Sequence, residues 1–210
     1  MIDKDTKLYC SFSLNPGNNG CVFFNKAFKE KNINAIYKSF YSNNIEKSID
    51  AVKALDISGF AISMPFKMTS LQYVDKISEE VELIGACNTI VNNNGYLTAY
   101  NTDYSGVKTY IQKLNQNFDI IYILGNGGFS KSVQYACKLL NINFEIIDRN
   151  HWDKIDHLKD QIIFNATPVD VYTKNNKIID ARPFTVEGKE ISLNQSIDQF
   201  KLYTGIDYDN

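Results

Sequence analysis

Three short clusters of polar residues could together do chemistry on a small polyhydroxylated molecule. Residues 59–67 (GFAISMPFK) form an apolar strand that ends at a proline and then Lys67. The second cluster, GACNT, carries Asn88, and the third, NTDYSG, carries Asp103. A cation, an amide and a carboxylate are the groups needed to hold hydroxyls and to move a proton. Each cluster alone is a weak signal, because a lysine at a strand end is more often simply solvated.

The composition limits the classes of protein to which the chain can belong. Its 210 residues allow one large or two small domains, and 44% hydrophobic with 13% aromatic residues are enough for real cores. The formal net charge of −2 gives no electrostatic footprint for nucleic acid or for an anionic membrane. No apolar run approaches the roughly 18 residues of a spanning helix, and the polar start is not a signal peptide. We therefore expect a cytoplasmic protein that binds neither nucleic acid nor membrane.

The cysteines and histidines predict no metal site. The four cysteines lack the CxxC spacing of zinc ligands, and their mostly apolar neighbours favour reduced thiols. The two histidines lie six residues apart in a polar stretch, and the sequence assigns them no role.

The elements that must position the three clusters alternate between strands and helices. In the first half, strands are predicted at residues 7–12, 35–40 and 60–64, and helices at 22–31 and 45–55. Two short strands on either side of residues 92–95 (NNNG) predict a hairpin. Strands that alternate with helices favour an α/β sheet covered on both faces.

The second half opens with the start of a dinucleotide-binding fold. A helix at 104–114 precedes an apolar strand at 118–124, the glycine turn GNGG, a helix at 130–140 and a strand at 144–148. Glycines let the backbone approach a pyrophosphate, and the helix that follows offers N–H groups and a positive dipole end. Strands at 161–165 and 177–180 and a helix at 193–203 complete the prediction.

Taken in order, these motifs resemble those of the shikimate dehydrogenase family over most of the chain. The resemblance rests on GFAISMPFK, GACNT, NTDYSG, GNGG, the Asp-Arg-Asn at 148–150, NATP at 165–168 and the glutamine helix at 195–200. It implies two α/β domains, with a Rossmann-like cofactor domain at 104–188 and a substrate domain at 1–103 plus 189–210. An active site in the cleft between them is implied too. The implied reaction is the reduction of 3-dehydroshikimate to shikimate, a step towards the aromatic amino acids.

The resemblance also implies roles for individual residues. Lys67 and Asp103 would be the catalytic pair. Shikimate would be held by Ser11, Ser13, Ser63, Lys67, Asn88, Asp103 and Gln195. The cofactor would be held by Gly125, Asn126, Gly127, Gly128, Phe129, Asp148, Arg149, Asn165, Ala166, Thr167, Gly188 and Ile191. The carboxylate of the substrate could face either Ser11 with Ser13 or Ser13 with Asn15, and both pairs stay open.

Several positions depart from the family pattern. Ala61 and Phe66 stand where an asparagine and a histidine are usual, which removes two polar groups near the site. Ser63 replaces a threonine and keeps the hydroxyl. The segment between Asn165 and Gln195 is shorter than in the family, and so is the end of the chain.

The choice of cofactor depends on two adjacent residues with opposite charges. Arg149 matches the family arginine that faces the 2′-phosphate of NADP. Asp148 stands where an acid accepts the ribose 2′-hydroxyl of NAD, and it would repel a phosphate. We expect NADP, with NAD possible.

Two other functions remain open from the sequence. A related dehydrogenase could act on quinate, since Ser63 and Ala61 leave space for another hydroxyl. A non-catalytic sensor of a shikimate-like ligand or a nucleotide would fit the shortened cofactor domain. The chain is expected to be a monomer or a homodimer.

Overall fold

The computed structural model describes residues 2–209 of the chain. They form two compact units. The first unit contains the residues up to Thr102 together with those from Ser196 onwards, and the second runs from Asp103 to Gln195. Asp103 and residues 189–195 therefore lie in the second unit, whereas the sequence analysis had expected them in the first.

The first unit is built on a mixed sheet of six strands in the order β2-β1-β3-β5-β6-β4. Its strand β1 is parallel to β2 and β3, whereas β5 is antiparallel to β3 and β6. Its elements are β1 (Lys7–Ser13), α1 (Asn19–Glu30), β2 (Ala35–Tyr41), α2 (Ile45–Ala54), β3 (Gly59–Ile62), β4 (Lys76–Ile77), α3 (Glu79–Ile84), β5 (Thr89–Asn93) and β6 (Tyr96–Tyr100), with a 3-10 turn at Thr69–Tyr73.

The predicted hairpin between β5 and β6 is confirmed. Its two turn residues, Asn94 and Gly95, have φ values of 53° and 89°. A two-residue hairpin turn needs the left-handed region at both positions, which asparagine and glycine adopt most readily. The side chain of Asn92 also accepts the N–H of Gly95 at 2.7 Å.

The second unit contains a parallel sheet of four strands in the order β10-β9-β7-β8. The strand, glycine turn, helix and strand expected for a dinucleotide fold are present, so the predicted α/β fold with a Rossmann-like domain is confirmed. Its elements are α4 (Asp103–Lys113), β7 (Ile120–Leu124), α5 (Gly128–Leu139), β8 (Asn143–Ile147), α6 (Lys154–His157), β9 (Ile162–Asn165), β10 (Lys177–Asp180) and α7 (Val186–Thr204), the last of which continues into the first unit.

The start of α7 differs most from the predicted elements, since the helix was expected only from residue 193. The hydroxyl of Thr185 accepts the N–H of Gly188 at 3.0 Å and thereby caps the helix. A Cβ at Gly188 would lie 1.9 Å from the carbonyl oxygen of Arg182, so only glycine lets the preceding connection pack against the first turn. Ile191, 3% exposed, then packs in the core of the second unit with Val107. This packing explains why residues 189–195 belong to the second unit.

A salt-bridge network holds the short connection between β10 and α7. The single Nε–H of Arg182 is shared between the two carboxylate oxygens of Asp180, and Nη2 donates to the same carboxylate. The guanidinium also pairs with Asp170. Burial raises the pKa of Asp180, but the bonds from Arg182 outweigh it and hold that pKa below its usual value. The shortened segment is thus an ordered turn.

Aromatic residues from both ends of the chain form one core of the first unit. The Tyr9 ring lies 4.8 Å from that of Tyr203, and its hydroxyl donates to the Tyr203 carbonyl at 2.9 Å. The ring centroids of Phe28 and Phe200 lie 5.7 Å apart. The second half of α7 therefore completes the first unit.

Candidate functional site

Lys67 lies in the turn between β3 and the 3-10 turn, two residues after the proline of a cis Met64–Pro65 bond. Its carbonyl oxygen accepts the N–H of Cys87 at 2.8 Å. The residue before it, Phe66, is 8% exposed and packs in the core. Lys67 itself is half-buried, and the backbone bond together with the packing of Phe66 helps to fix where its turn lies. The phenylalanine in place of the family's histidine is a core residue.

The side-chain amide of Asn88 is held in one orientation within the first unit. Its Oδ1 accepts the Thr102 N–H at 2.7 Å and the Thr89 hydroxyl at 2.9 Å, while Nδ2 donates to the Thr102 hydroxyl at 2.9 Å. Asn88 is 4% exposed. Bonds that use both ends of an amide fix which end is the donor. The Cys87–Lys67 bond joins this segment to the lysine turn.

Gln199 is a residue of this network that sequence reasoning missed. From α7, its Nε2 donates to the Thr89 hydroxyl at 2.7 Å and to the Asn88 carbonyl at 3.4 Å, and it is 2% exposed. The Thr89 hydroxyl donates in turn to Oδ1 of Asn88. Gln199 therefore helps to hold the side-chain amide of Asn88 through the hydroxyl of Thr89. The sequence marks Gln199 only by its position four residues after Gln195.

We expect Gln199→Leu to lower the free energy of unfolding by about 1–3 kcal/mol, because it leaves buried acceptors without their donor. Denaturant titration of the full chain measures the change. The matched control is Gln72→Leu, at an exposed glutamine of the same unit, which should stay within about 0.5 kcal/mol of the parent. Equal losses from the two variants would contradict a structural role for Gln199.

The serines considered for the substrate carboxylate lie on β1, where Ser11 and Ser13 point to the same side of the sheet. Ser13 is 6% exposed and Ser11 is half-buried. Burial raises the pKa of Tyr37, and a hydrogen bond with Ser11 opposes that rise. Asn15 and Ser63 are exposed. The choice between the two carboxylate pairs stays a prediction.

Asp103 and Gln195 belong to two helices of the second unit that touch through their backbones. Asp103 is the first residue of α4 and is 6% exposed. Three residues later, a Cβ at Gly106 would lie 2.6 Å from the carbonyl oxygen of Ile191 and 2.9 Å from Cβ of Gln195. The glycine of the NTDYSG motif therefore permits the close approach of α4 and α7. This approach fixes the position of the Gln195 backbone, from which its side chain extends.

The GNGG turn between β7 and α5 fits a pyrophosphate. Gly125 has a φ of 93°, and a Cβ there would lie 2.8 Å from a methyl of Thr167. Gly127 is the N-cap residue of α5, and no side chain caps this helix end. A Cβ at Gly127 would meet nothing within 4 Å. Open space in front of a helix start is the setting that binds phosphate. Gly128 begins α5, Asn126 is exposed, and the half-buried Phe129 packs against the core.

The NATP turn lies against the glycine turn. Asn165 is fully buried, and its Oδ1 accepts the N–H and the hydroxyl of Thr167 at 3.0 and 2.7 Å. The N–H of Ala166 donates to Leu124 at 3.2 Å, at the end of β7. Asn165 thus shapes the turn that carries Ala166 and Thr167 to Gly125.

Asp148 and Arg149 follow β8. Asp148 Oδ1 accepts the N–H of Asn150 at 2.9 Å and bonds to Nδ1 of His151 at 2.8 Å. The bond with His151, followed by that with Asn150, lowers the pKa of Asp148. Arg149 is exposed. The predicted ribose acid is therefore hydrogen-bonded to its own turn, a feature that the sequence did not reveal.

Gly188 and Ile191 both lie in the first two turns of α7. Gly188 is packed against Arg182, and the side chain of Ile191 is in the core of the second unit. Their assignment to the cofactor stays a prediction. Within residues 2–209, no helix is long and apolar enough to span a membrane.

A parallel sheet with a glycine turn before a helix is the architecture of the Rossmann-like dinucleotide-binding class, and here it is accompanied by a second α/β unit. Residues 19–90 match the model of the shikimate dehydrogenase substrate binding domain. The chain is 45% identical over 147 residues to a shikimate dehydrogenase-like protein of Haemophilus influenzae, covering 69% of this chain and 53% of that protein. It is 31% identical over 202 residues to the shikimate dehydrogenase (NADP(+)) of Pyrococcus furiosus, covering 92% of this chain and 68% of the relative.

A solved structure of a shikimate 5-dehydrogenase-like protein superposes with a TM-score of 0.82 at 30% identity, covering 100% of this chain and 96% of that one. The chain belongs to the shikimate dehydrogenase family. It spans 53% and 68% of the lengths of the two curated relatives.

Proposed function

We propose that this chain is an NADP-dependent shikimate dehydrogenase that reversibly reduces 3-dehydroshikimate to shikimate. The proposal is supported by membership of the family, by the name of the Pyrococcus relative and by the motif residues Lys67, Asn88 and Asp103. The observation that carries it is the 2.8 Å bond from the Cys87 N–H to the Lys67 carbonyl. That bond joins the turn bearing the ammonium to the segment bearing the oriented Asn88 amide.

Reduction of a ketone makes an alkoxide, so the site must supply a proton and stabilise negative charge as it forms. NADPH supplies the hydride when it is bound. Lys67 gives its ammonium proton to the carbonyl oxygen, and Asp103 orients the lysine. In the reverse direction the lysine takes the proton back. Asn88, Asp103 and Gln195 hold the ring hydroxyls, and Ser13 with either Ser11 or Asn15 holds the carboxylate.

The cofactor is held by groups of the second unit. The backbone N–H groups of the GNGG turn and of the start of α5 would donate to the pyrophosphate, and the NATP turn would lie beside it. Arg149, which is exposed two residues after β8, would face the 2′-phosphate.

Arg149→Ala should raise the KM for NADP⁺ about tenfold or more, because a charge-assisted hydrogen bond is lost. The KM for NAD⁺ should change little, since its ribose carries no phosphate. Initial rates at saturating shikimate with each cofactor measure both constants. If the two KM values change by the same factor, Arg149 does not read the 2′-phosphate.

Absorbance at 340 nm, followed with shikimate and NADP⁺ or NAD⁺, tests the proposed activity. We expect reduction of NADP⁺ that depends on shikimate, and a slower rate with NAD⁺. Quinate in place of shikimate tests the related activity. Absence of turnover with every pair would refute the proposal. Calorimetric binding of shikimate without turnover would then support a non-catalytic sensor.

A further inference from the structure

The four residues after β8, Asp148–His151, form a charged turn whose internal bonds bear on the choice of cofactor. Asp148 comes directly after the strand and caps the 3-10 turn Arg149–His151. Its Oδ1 receives both the Asn150 N–H at 2.9 Å and His151 Nδ1 at 2.8 Å. A nearby cation, Lys154, bonds to Glu145 at 2.8 Å. His151 is thus the side chain that is hydrogen-bonded to Asp148 within the turn.

The direction of the bond between His151 and Asp148 follows from chemistry. The lowered pKa of Asp148 keeps it ionised, and an ionised carboxylate can only accept hydrogen bonds. Nδ1 of His151 therefore carries a proton and donates it. The Oδ1 atom of Asp148 consequently accepts two hydrogen bonds from residues of its own turn.

That geometry opposes the role of an acid in an NAD site. An acid that selects NAD must turn its carboxylate to the ribose hydroxyls, and its charge repels a 2′-phosphate. Here the carboxylate is hydrogen-bonded to two of the residues that follow it, Asn150 and His151. Arg149, between them in sequence, is exposed.

We propose that His151 is a specificity-determining positioning residue, which holds Asp148 on its own turn so that the loop favours a 2′-phosphorylated ribose. This inference rests on the proposed function, because it assumes that the second unit binds a nicotinamide dinucleotide. His151 acts through Asp148 and is not assigned a contact with the cofactor. Removing it should free the carboxylate to face the ribose.

Calorimetry with two small probes tests the inference without turnover. Adenosine 2′,5′-bisphosphate and 5′-AMP differ only in the 2′-phosphate, so the ratio of their affinities reports how the loop reads the ribose. His151→Ala should lower this ratio about twofold to fivefold, the range that an exposed ion pair supports. The same substitution in an Asp148→Asn background should leave the ratio unchanged, because the negative charge is gone. His157→Ala, at an exposed histidine of α6, is the matched control, and melting curves check folding.

The outcomes separate this inference from the proposed function. A parent chain that binds neither probe would refute cofactor binding, and the inference would fall with it. A parent chain that favours the bisphosphate, with the same ratio after His151→Ala, would refute only the role of His151. An effect that persists in the Asp148→Asn background would also overturn it, because His151 would then act on the phosphate directly.

Discussion

Replacing Lys67 by methionine is expected to lower kcat by about 10²–10⁴-fold, the usual contribution of a positioned general acid. Methionine keeps an unbranched chain and removes the ammonium. The turn should stay in place, because Lys67 is held through its carbonyl by the Cys87 N–H. Rates at saturating shikimate and NADP⁺ measure the loss, and calorimetry should still detect shikimate.

The control for this variant is Lys29→Met, which removes an exposed ammonium from α1. It should leave kcat within about twofold of the parent, since surface substitutions are usually mild. Near-normal turnover of Lys67→Met would remove this lysine from the mechanism. A variant that fails to fold in melting experiments would instead show that the ammonium is needed for stability, against the contacts described here.

Gly106→Ala is expected to lower the free energy of unfolding by about 1–3 kcal/mol, the cost of overpacking a tight contact. The added methyl would lie 2.6 Å from the backbone oxygen of Ile191 and 2.9 Å from Cβ of Gln195. Backbone cannot give way as a flexible side chain does, so α4 and α7 must move apart. Under the proposed function, displacement of Gln195 should raise the KM for shikimate more than it lowers kcat.

Gly17→Ala is the matched control, because a Cβ at Gly17 meets nothing within 4 Å. Its stability should stay within about 0.5 kcal/mol of the parent. Denaturant titration and initial rates on both variants give the comparison. If Gly106→Ala is as stable as Gly17→Ala, the two helices are not in the close contact described.

Elements with a strong local pattern could be predicted from the sequence. The asparagine-glycine turn identified the β5–β6 hairpin, because its left-handed residues are local requirements. The apolar run before GNGG identified β7 and α5 for the same reason. Family motifs then gave the fold of both units, since their order is more specific than any one motif.

Residues whose roles depend on distant partners could not be predicted in this way. Thr185 and Gly188 have the composition of a loop, yet a cap and a backbone contact with Arg182 make them the start of α7. Gln199 has the type of a solvated helix residue, and only packing against β5 buries it. Asp148 was assigned to a ribose by its place after a strand, while its bond to His151 depends on the fold of the turn.

The shared helix α7 has a consequence for synthesis on the ribosome. The aromatic core around Tyr9 and Phe28 is completed by Phe200 and Tyr203, which are translated after the whole second unit. Until those residues emerge, this aromatic core lacks part of its rings, although the other core of the first unit consists of residues 10–99 alone. The second unit is continuous in sequence, so it can fold during translation. The aromatic core around Tyr9 and Phe28 is therefore the part of the first unit that is completed last.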